Sequence, residues 1–288
     1  MVNYIPHSLI NDFVAHLKSQ GKSEFTVVAY KKDLEQFVGF LTTKEKTDIR
    51  EVKKEDIDGF IEKLITDGYT KKSASRKLNS IRTFFRYLKS LLVIDQNPSL
   101  DVTHPKYTST APRILSKLEY HALRDFAKDD ARTYALVEIL LQTGMKIGEL
   151  ANIHSEDLKD GTLSVRPYGK NPARDVPLNK SIKKAVADYI KIRGGNATDG
   201  HLFITRSGKP ILIRNIRQII NRCFREVEIK SATVNDLRNT FIVESIKRGV
   251  NLVTISHAAG HKRLSTTERY LPIAEVPEPG TKQFLEEL

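Results

Sequence analysis

The stretch that decides the fold runs from Ala259 to Tyr270 and reads AGHKRLSTTERY. It places an imidazole, His261, and a phenol, Tyr270, on one short segment rich in lysine and arginine. A tyrosine hydroxyl can act as a covalent nucleophile, although its pKa of about 10 means that it must lose its proton to a base or in the transition state. A histidine can hydrogen-bond a phosphate or move a proton. The segment therefore supplies a candidate nucleophile and a candidate partner for it.

Three upstream segments add cations to this pair. They read TGMKIGEL at 143–150, GK at 169–170 and NDLRNTF at 235–241. A phosphodiester attacked by an alcohol needs positive charge on its non-bridging oxygens, a general acid for the leaving oxygen and a nucleophile. The four segments together supply all three, so the sequence predicts phosphoryl transfer. The sequence has no HExxH, no paired acidic motif and no cysteine cluster, so it indicates no metal site.

The order and spacing of these segments resemble the tyrosine recombinase (phage integrase) family, most of all its compact Xer-like members and the transposon resolvases. Leu141 to Glu149 resembles the first arginine box of the family, Asp236 to Phe241 the second, and Ala259 to Tyr270 the last and most specific one. The resemblance covers nearly the whole chain. The parts similar to the family's core-binding (SAM-like) domain are Ser23-x-x-Thr26, Arg82 to Leu88 and Asn97-Pro98.

The resemblance implies a role for each catalytic position. Arg238 clamps the scissile phosphate, and His261 hydrogen-bonds or positions it. Lys170 donates a proton to the leaving 5′ oxygen, and Tyr270 attacks to leave a 3′-phosphotyrosyl link. No nucleotide or metal cofactor is implied. Taken singly, these residues have plainer interpretations, such as a packing tyrosine, a surface histidine, a turn lysine or a salt-bridge arginine; their ordered occurrence together favours catalysis.

Two candidate catalytic residues depart from the family pattern. Lys146 stands where the first box normally carries arginine, and Asn235 stands where the second normally begins with histidine or lysine. Lysine keeps the charge but loses the planar fork that grips two oxygens. Asparagine can donate or accept a hydrogen bond but cannot exchange a proton near neutral pH. Lys146 has three explanations: an engineered attenuating substitution, a native residue of a divergent branch, or a protein that binds DNA without cutting it.

The first third of the chain is predicted to form helices, and the fourth of them, from about Lys72 to Leu91, is basic. No acid occurs between Gly68 and Ile94. We expect one face of this helix to be buried through Leu78, Ile81, Phe85 and Leu88, and another to meet DNA phosphates. The alternative is a merely solvated basic face. The candidate DNA-binding residues are Lys72, Arg76, Lys77, Arg82 and Arg86.

The predicted fold class is mainly α with a small antiparallel β-sheet, in two domains that form a clamp on DNA. A helical core-binding domain takes residues 1–104, a proline-rich linker 105–113, an α+β catalytic domain 114–275 and a tail helix 276–288. Ser116 and Glu119 form a capping-box pattern that opens a helix. Alternation over 162–166 and 174–178 predicts a hairpin, with 201–204 as a candidate for one more short strand.

Composition limits the class of protein and its partners. The 288-residue chain has 47 Lys and Arg against 35 Asp and Glu, a formal net charge of +12. This excess favours a polyanionic partner because neutralised phosphates release counterions, although an unspecialised basic protein has the same balance. The single cysteine, Cys223, excludes an internal disulfide and a multi-cysteine zinc site. No stretch approaches the roughly 20 apolar residues of a membrane span and no signal peptide is visible, so a cytoplasmic protein is expected.

The resemblance thus implies a site-specific recombinase that exchanges strands between double-stranded DNA sites through a Holliday junction. The resemblance implies a homo-oligomer, a dimer on one site and a tetramer in the synapse, whose tail docks on a neighbouring subunit; the alternative is a tail that packs on its own domain. Two other functions stay open: a DNA-binding member of the family with an attenuated or inactive site, and a nickase like the type IB topoisomerases. The biological role is open among chromosome-dimer resolution, cointegrate resolution, and integration or excision of a mobile element.

Overall fold

A computed structural model describes residues 6–108, 110–159, 161–169, 171–193 and 200–274. The chain divides into two units, Met1–Ser109 and Thr110–Leu288. Within the described ranges, no helix combines the length and the apolar character that a bilayer crossing needs. The predicted tail helix at 276–288 lies outside the described residues.

The first unit consists of helices that bury their apolar stripes against one another. Its elements are α1 (Pro6–Ser19), α2 (Glu24–Thr42), a 3-10 turn (Ile49–Glu51), α3 (Lys54–Thr66) and α4 (Lys71–Ser90). Several aromatic rings meet edge to face, as in the Phe13–Phe84 pair at 5.4 Å between centroids. The centre of the core is formed by five phenylalanines, each at most 2% exposed: Phe13, Phe37, Phe60, Phe84 and Phe85.

Helix α4 begins where the Thr70 hydroxyl accepts a hydrogen bond from Ser73 N at 3.2 Å. The four apolar residues predicted to form its inner stripe are all buried: Leu78, Ile81, Phe85 and Leu88. This burial fixes the rotation of the helix about its axis. Lys72, Arg76 and Arg86 consequently lie on its exposed side.

The second unit is mainly helical with one small sheet. Its strands are β1 (Leu158–Lys159), β2 (Thr162–Val165) and β3 (Arg174–Pro177), antiparallel in the order β1-β2-β3. The predicted mainly α fold with a small antiparallel sheet is therefore confirmed, and so is the predicted hairpin. The helices are α5 (Lys117–Ala127), α6 (Ala131–Thr143), α7 (Ile147–Ala151), α8 (Lys180–Arg193), α9 (Ile213–Glu226), α10 (Val234–Lys247), α11 (Leu252–Ala259) and α12 (Ser265–Glu268), with a 3-10 turn at Ser155–Asp157.

Helix α5 opens with the predicted capping box. Glu119 N donates to Ser116 Oγ at 3.2 Å, and Ser116 N donates to Glu119 Oε2 at 2.8 Å. These reciprocal bonds satisfy two backbone donors that a helix N-terminus otherwise leaves unpaired. The start of the second unit is thereby fixed by local sequence.

Helix α6 packs against α5, α8 and α10 and is largely buried. It ends at Gly144, whose φ of +63° belongs to the left-handed region that glycine adopts readily. A Cβ at this position would lie 2.3 Å from Cδ1 of Phe241 on α10. The glycine therefore lets the chain between α6 and α7 pass close to α10.

The prediction of one more short strand at 201–204 is wrong. The structure shows only isolated bridges here, His154 with His201 and Ile204 with Pro210. The reason is that side chains take backbone groups that a strand would use. Arg193 Nη1 donates to the carbonyls of His201 and Leu202, both at 2.6 Å, and Ile204 N donates to the Tyr189 hydroxyl at 3.1 Å.

Candidate active site

Arg238 lies on α10 with its guanidinium in a largely dry environment, the residue being 8% exposed. Its Nη1 donates to the carbonyl oxygens of Gly144 and Ala259, at the C-terminal ends of α6 and α11. Such ends carry partial negative charge and favour a cation. Burial lowers the pKa of Arg238 to about 10, so it stays charged at neutral pH. Its Nη2 has no hydrogen-bond partner among the described residues and can bind an anion.

A buried ion pair lies close to Arg238 and acts on its charge. Arg174, at the start of β3, donates from Nη2 to Glu149 Oε2 at 2.8 Å and from Nη1 to Glu149 Oε1 at 3.1 Å. Burial opposes ionisation of Glu149, but Arg174 and the Lys146 N–H outweigh it and hold the pKa of the carboxyl below its usual value. Glu149 is therefore a carboxylate whose charge Arg174 balances.

Lys146 directs its ammonium toward the hairpin turn. Its Nζ donates to Asn171 Oδ1 at 2.7 Å, and its backbone N donates to Glu149 Oε2 at 2.8 Å. Burial lowers the pKa of Lys146, and the positive charge of Arg238 lowers it further. The residue therefore lies within the electrostatic reach of Arg238 and forms a second cation of the same cluster.

His261 follows α11 and is held in its neutral form. Its Nδ1 lies 2.8 Å from the hydroxyl of Thr267, a residue that is itself fully buried. Burial lowers the pKa of His261 to about 4, and the cations Arg238 and Lys146 act in the same direction. At neutral pH the ring is uncharged, and Nε2 is the nitrogen left to meet a ligand.

Tyr270 lies just after α12 and is only partly exposed. Its hydroxyl donates to Asn239 Oδ1 at 2.9 Å. Burial raises the pKa of Tyr270, and Asp236 raises it too, whereas the positive charges of Arg238 and Arg269 lower it. The phenol is therefore protonated at rest, within the field of the arginine that is predicted to hold the phosphate.

The structure thus brings Arg238, Lys146, His261 and Tyr270 into one cluster, but it does not bring Asn235 there. Asn235 is exposed on α10, and its side chain has no hydrogen bond within the described part of the chain. Lys170 lies outside the described residues. Its neighbours in sequence, Tyr168 and Asn171, exchange two backbone hydrogen bonds of 3.3 and 3.0 Å that close the hairpin turn.

Several residues of the cluster were not singled out from the sequence. Glu149 had a usable signal, because it stands three residues after Lys146 as the N3 acid of a capping box. Gly260, which belongs to the last box of the resemblance, lies against this ion pair, since a Cβ there would lie 2.7 Å from Arg174 Nη1. Arg174, Asn171 and Asn239 had none, because their partners are distant in sequence.

The candidate DNA-binding residues of α4 divide into two groups. Lys72 and Arg86 are exposed, and Arg76 is also exposed although its Nη2 donates to Asp33 at 2.8 Å. Lys77, in contrast, is buried with its Nζ 2.9 Å from Asp33 Oδ1. The structure therefore places Lys77 in the core and not on the surface where a phosphate contact needs it. The reason is that Asp33, on α2, supplies the acid that α4 lacks.

Arg82 is engaged by the segment that follows α4. Its Nε donates to Ser99 O at 3.1 Å, and its Nη1 lies 2.7 Å from Nε2 of His104. It also reaches the carbonyl of Val102. Arg82 therefore ties the chain after α4 to the helix, and most of its donors are occupied by the protein.

A second basic helix face emerges in the other unit and was not predicted. Helix α9 buries Ile216, Ile220, Cys223 and Phe224. The rest of its surface exposes four arginines, and no acid occurs before Glu226. Helix α4 has the same absence of acids. The exposed arginines are Arg214, Arg217, Arg222 and Arg225.

Comparison with protein families gives two matches. Residues 110–275 match the phage integrase family. Residues 10–90 match the phage integrase N-terminal SAM-like domain. Among the described residues, no group of histidines, cysteines and acids could hold a metal ion.

Curated relatives align over nearly their whole length. The tyrosine recombinase XerC of Thermodesulfovibrio yellowstonii is 32% identical over 276 residues, which cover 91% of this chain and 90% of the relative. The tyrosine recombinase XerD of Listeria monocytogenes is 27% identical over 94% of this chain and 95% of the relative.

Solved structures share the fold at low identity. A lambda integrase dimer bound to a COC′ core site matches with a TM-score of 0.79 and 18% identity, over 92% of this chain and 77% of that one. A lambda integrase tetramer bound to a Holliday junction matches with a TM-score of 0.77 and 18% identity, over 91% and 78%. The Tn1549 transposon integrase in complex with circular intermediate DNA matches with a TM-score of 0.74 and 21% identity, over 93% and 95%.

Proposed function

The chain belongs to the phage integrase family, and we propose that it is a Xer-like site-specific DNA recombinase that cuts and rejoins strands through a covalent bond to Tyr270. One observation carries this proposal. Arg238 Nη1 bonds the carbonyls of Gly144 and Ala259, each two residues before a candidate catalytic residue, Lys146 and His261 respectively. The Tyr270 hydroxyl donates to Asn239, the residue that follows Arg238 on α10. A phosphate binder, a second cation, an imidazole and a phenol therefore share one electrostatic environment.

The phosphate is bound by the free face of the cluster. Arg238 Nη2 and the Lys146 ammonium neutralise the non-bridging oxygens, and buried cations do this strongly because little water screens them. Glu149 does not cancel them, since Arg174 already balances its charge. The bound phosphate also offsets the cations that lower the pKa of His261, so the ring can then donate a hydrogen bond to the phosphate more readily.

Cleavage replaces the bond between phosphorus and the 5′ oxygen by a bond between phosphorus and Tyr270, and this replacement is reversible. The Tyr270 oxygen attacks phosphorus, the new O–P bond forms as the bond to the 5′ oxygen breaks, and the phenolic proton passes to water. By resemblance to the family, Lys170 gives a proton to the 5′ oxygen. Rejoining is the reverse attack by a 5′ hydroxyl, and the phosphotyrosyl bond conserves the energy, so no nucleotide is consumed.

Lys146 keeps the site competent but slower than an arginine site. It supplies charge at the right place, and Asn171 holds its ammonium at 2.7 Å. It cannot grip two oxygens at once as a guanidinium does. Asn235, being exposed, has a smaller part than the sequence suggests.

The DNA partner follows from the two basic helix faces. In the first unit we assign phosphate contacts to Lys72, Arg76 and Arg86, and in the second to the exposed arginines of α9. We divide the chain into a core-binding domain at 1–104, a linker at 105–113, a catalytic domain at 114–275 and a tail at 276–288. The tail docks on a neighbouring subunit, in a dimer on one site and a tetramer in the synapse. The protein works on DNA in the cytoplasm.

The test is covalent trapping on DNA. The substrate is a pool of duplexes with two inverted half-sites of randomised sequence around a nicked spacer. Cleavage near the nick releases a short piece of DNA, whose 5′ hydroxyl is then no longer present to reverse the reaction, so the covalent intermediate accumulates. The protein is expected to form an adduct that survives denaturing electrophoresis, and Tyr270→Phe is expected to bind the same pool without forming it. An adduct with Tyr270→Phe contradicts the assignment of the nucleophile. No adduct with the protein or with Lys146→Arg favours a DNA-binding protein, and an adduct without recombinant product favours a nickase.

A further inference from the structure

The hydroxyl of the proposed nucleophile is already bound to a side chain that the family resemblance does not explain. Tyr270 Oη donates to Asn239 Oδ1 at 2.9 Å. Asn239 follows Arg238 directly on α10 and is partly buried. The residue beside the phosphate clamp thus holds the attacking group in the resting protein.

The orientation of the Asn239 amide is fixed by its other end. Its Nδ2 donates to Asp236 Oδ1 at 3.1 Å and faces the carbonyl oxygen of Arg113 at 3.4 Å. Both partners are acceptors, so rotating the amide by half a turn would bring its own oxygen against them. Asp236 is held in turn, because its Oδ2 accepts from Thr233 N at 2.7 Å and from the Thr233 hydroxyl at 2.9 Å. The carbonyl end is therefore kept facing Tyr270.

This contact distinguishes between the two protonation states of the phenol. A carbonyl oxygen can accept a hydrogen bond from a phenol but has no proton to offer a phenolate, and its dipole repels one. The nitrogen that could stabilise a phenolate points away. The contact therefore exists only while Tyr270 is protonated, and it opposes the positive charges of Arg238 and Arg269, which favour the phenolate.

We propose that Asn239 is a positioning residue that keeps Tyr270 neutral and out of reaction until DNA is bound. The inference rests on the proposed role of Tyr270 as nucleophile. For attack, the hydrogen bond to Asn239 breaks and the phenolic proton passes to water. The Tyr270 oxygen then forms its bond to phosphorus as the bond from phosphorus to the 5′ oxygen breaks. Asn239 takes no proton, because an amide carbonyl is not a base near neutral pH. Asn239 instead sets the fraction of enzyme molecules whose Tyr270 is ionised, and therefore ready to attack, at a given pH.

The test changes the side chain that accepts the Tyr270 hydrogen bond in two ways with opposite expected effects, and it measures the pKa of Tyr270 directly. Asn239→Ala removes the acceptor and admits water, so the pKa of Tyr270 is expected to fall. Asn239→Asp is made together with Asp236→Asn, so that the amide of residue 236 donates to the new carboxylate instead of opposing it. The negative charge then lies next to Tyr270 Oη, so the pKa is expected to rise, by roughly one unit, which corresponds to about a tenfold change in the phenolate fraction. The protein is labelled with 3-fluorotyrosine, whose phenol ionises at lower pH, and the resonance of residue 270 is assigned by its loss in Tyr270→Phe. Titration is followed by fluorine NMR without DNA.

Single-turnover cleavage provides the second readout. At fixed pH near neutrality, Asn239→Ala is expected to cleave several-fold faster than the parent and Asn239→Asp/Asp236→Asn about tenfold slower, with pH profiles displaced in opposite directions. A merely structural role would slow both variants together. Asn239→Leu replaces the alanine variant if circular dichroism shows that alanine costs the fold.

The control and the outcomes separate this inference from the proposed function. Asn221→Asp places the same charge on an exposed residue of α9 and should leave the titration of residue 270 where it was. If neither Asn239 variant moves that titration, or both move it the same way, the inference is overturned although Tyr270 stays the nucleophile. If Tyr270→Phe still forms the adduct, the proposed function fails, while the titration still decides whether Asn239 holds the phenol.

Discussion

Arg174 and Glu149 form an ion pair that is almost completely shielded from solvent, with side-chain exposures of 1% and 0% and an Nη2–Oε2 distance of 2.8 Å. The same guanidinium donates from Nε to Ala258 O at 2.8 Å. One side chain on β3 therefore joins the segment that carries Lys146 to the end of α11, just before His261. The pair aligns three separate parts of the catalytic cluster.

Removing one charge of this pair is expected to destabilise the fold severely. Glu149→Gln keeps the shape but leaves the Arg174 charge buried without a counter-ion, which costs about 3–5 kcal/mol of unfolding free energy. Urea denaturation followed by circular dichroism measures it. Glu35→Gln is the control, because the Lys31–Glu35 pair is 45% exposed on both sides and its loss costs at most about 1 kcal/mol. A loss for Glu149→Gln as small as that of the control contradicts the buried pair.

The neutral state of His261 makes stability depend on pH in a definite direction. Burial lowers the pKa of the folded ring from 6.5 to about 4, so between these values the unfolded chain binds a proton that the folded chain refuses. The stabilisation is complete above pH 6.5 and is lost as the pH falls from 6.5 toward 4. Urea midpoints measured across this window should fall less steeply in His261→Asn. His121→Asn, at an exposed histidine of α5, is the matched control, and equal slopes in the parent and His261→Asn would refute the assignment.

Replacing Lys146 by arginine is expected to speed cleavage. A guanidinium can add one charge-assisted hydrogen bond in the transition state, worth about 1.5–3 kcal/mol, or roughly ten- to a hundred-fold in rate. Lys146→Met should remove the charge and most of the activity. Single-turnover cleavage of the trapping substrate measures both. Slower cleavage by Lys146→Arg would mean that the site is built around a lysine held by Asn171, and Asn171→Ala should then slow the parent as well.

The sequence predicted what local pattern determines and missed what distant contacts determine. The capping box at Ser116 and the hairpin strands around 162–166 and 174–178 depend on neighbours in sequence or on strand alternation, and the structure has them. Lys77 was misplaced because its counter-ion, Asp33, is 44 residues away on another helix. Asn239 and Arg174 were missed for the same reason, since their partners are 31 and 25 residues distant. Motif spacing gives the reactive groups, whereas the side chains that hold them come from tertiary packing.

The exposed and buried cations of α4 should behave differently when they are removed. Lys72→Ala or Arg86→Ala is expected to weaken DNA binding and to reduce the slope of log affinity against log salt by about one each, with little change in stability. Lys77→Met is expected to lower the urea midpoint, because it takes a counter-ion from the buried Asp33. Fluorescence anisotropy with a labelled duplex over a salt series measures the slopes. If Lys77→Met lowers the slope of log affinity against log salt without changing stability, then Lys77 contacts DNA and the buried ion pair with Asp33 is contradicted.

The basic face of α9 should contribute to DNA binding in the same way as α4. Arg214 and Arg217 are both exposed, whereas Ile216 and Ile220 are buried, so truncating the two arginines does not open the core. The double variant Arg214→Ala/Arg217→Ala is expected to lower the salt slope by about two if both arginines meet phosphates. The double variant Lys18→Ala/Lys22→Ala, at two exposed lysines in and just after the last turn of α1, is the control for the same change of net charge. A double variant whose slope equals that of the control would exclude Arg214 and Arg217 from the DNA surface, because exposed arginines that release no counterions are not in contact with the duplex.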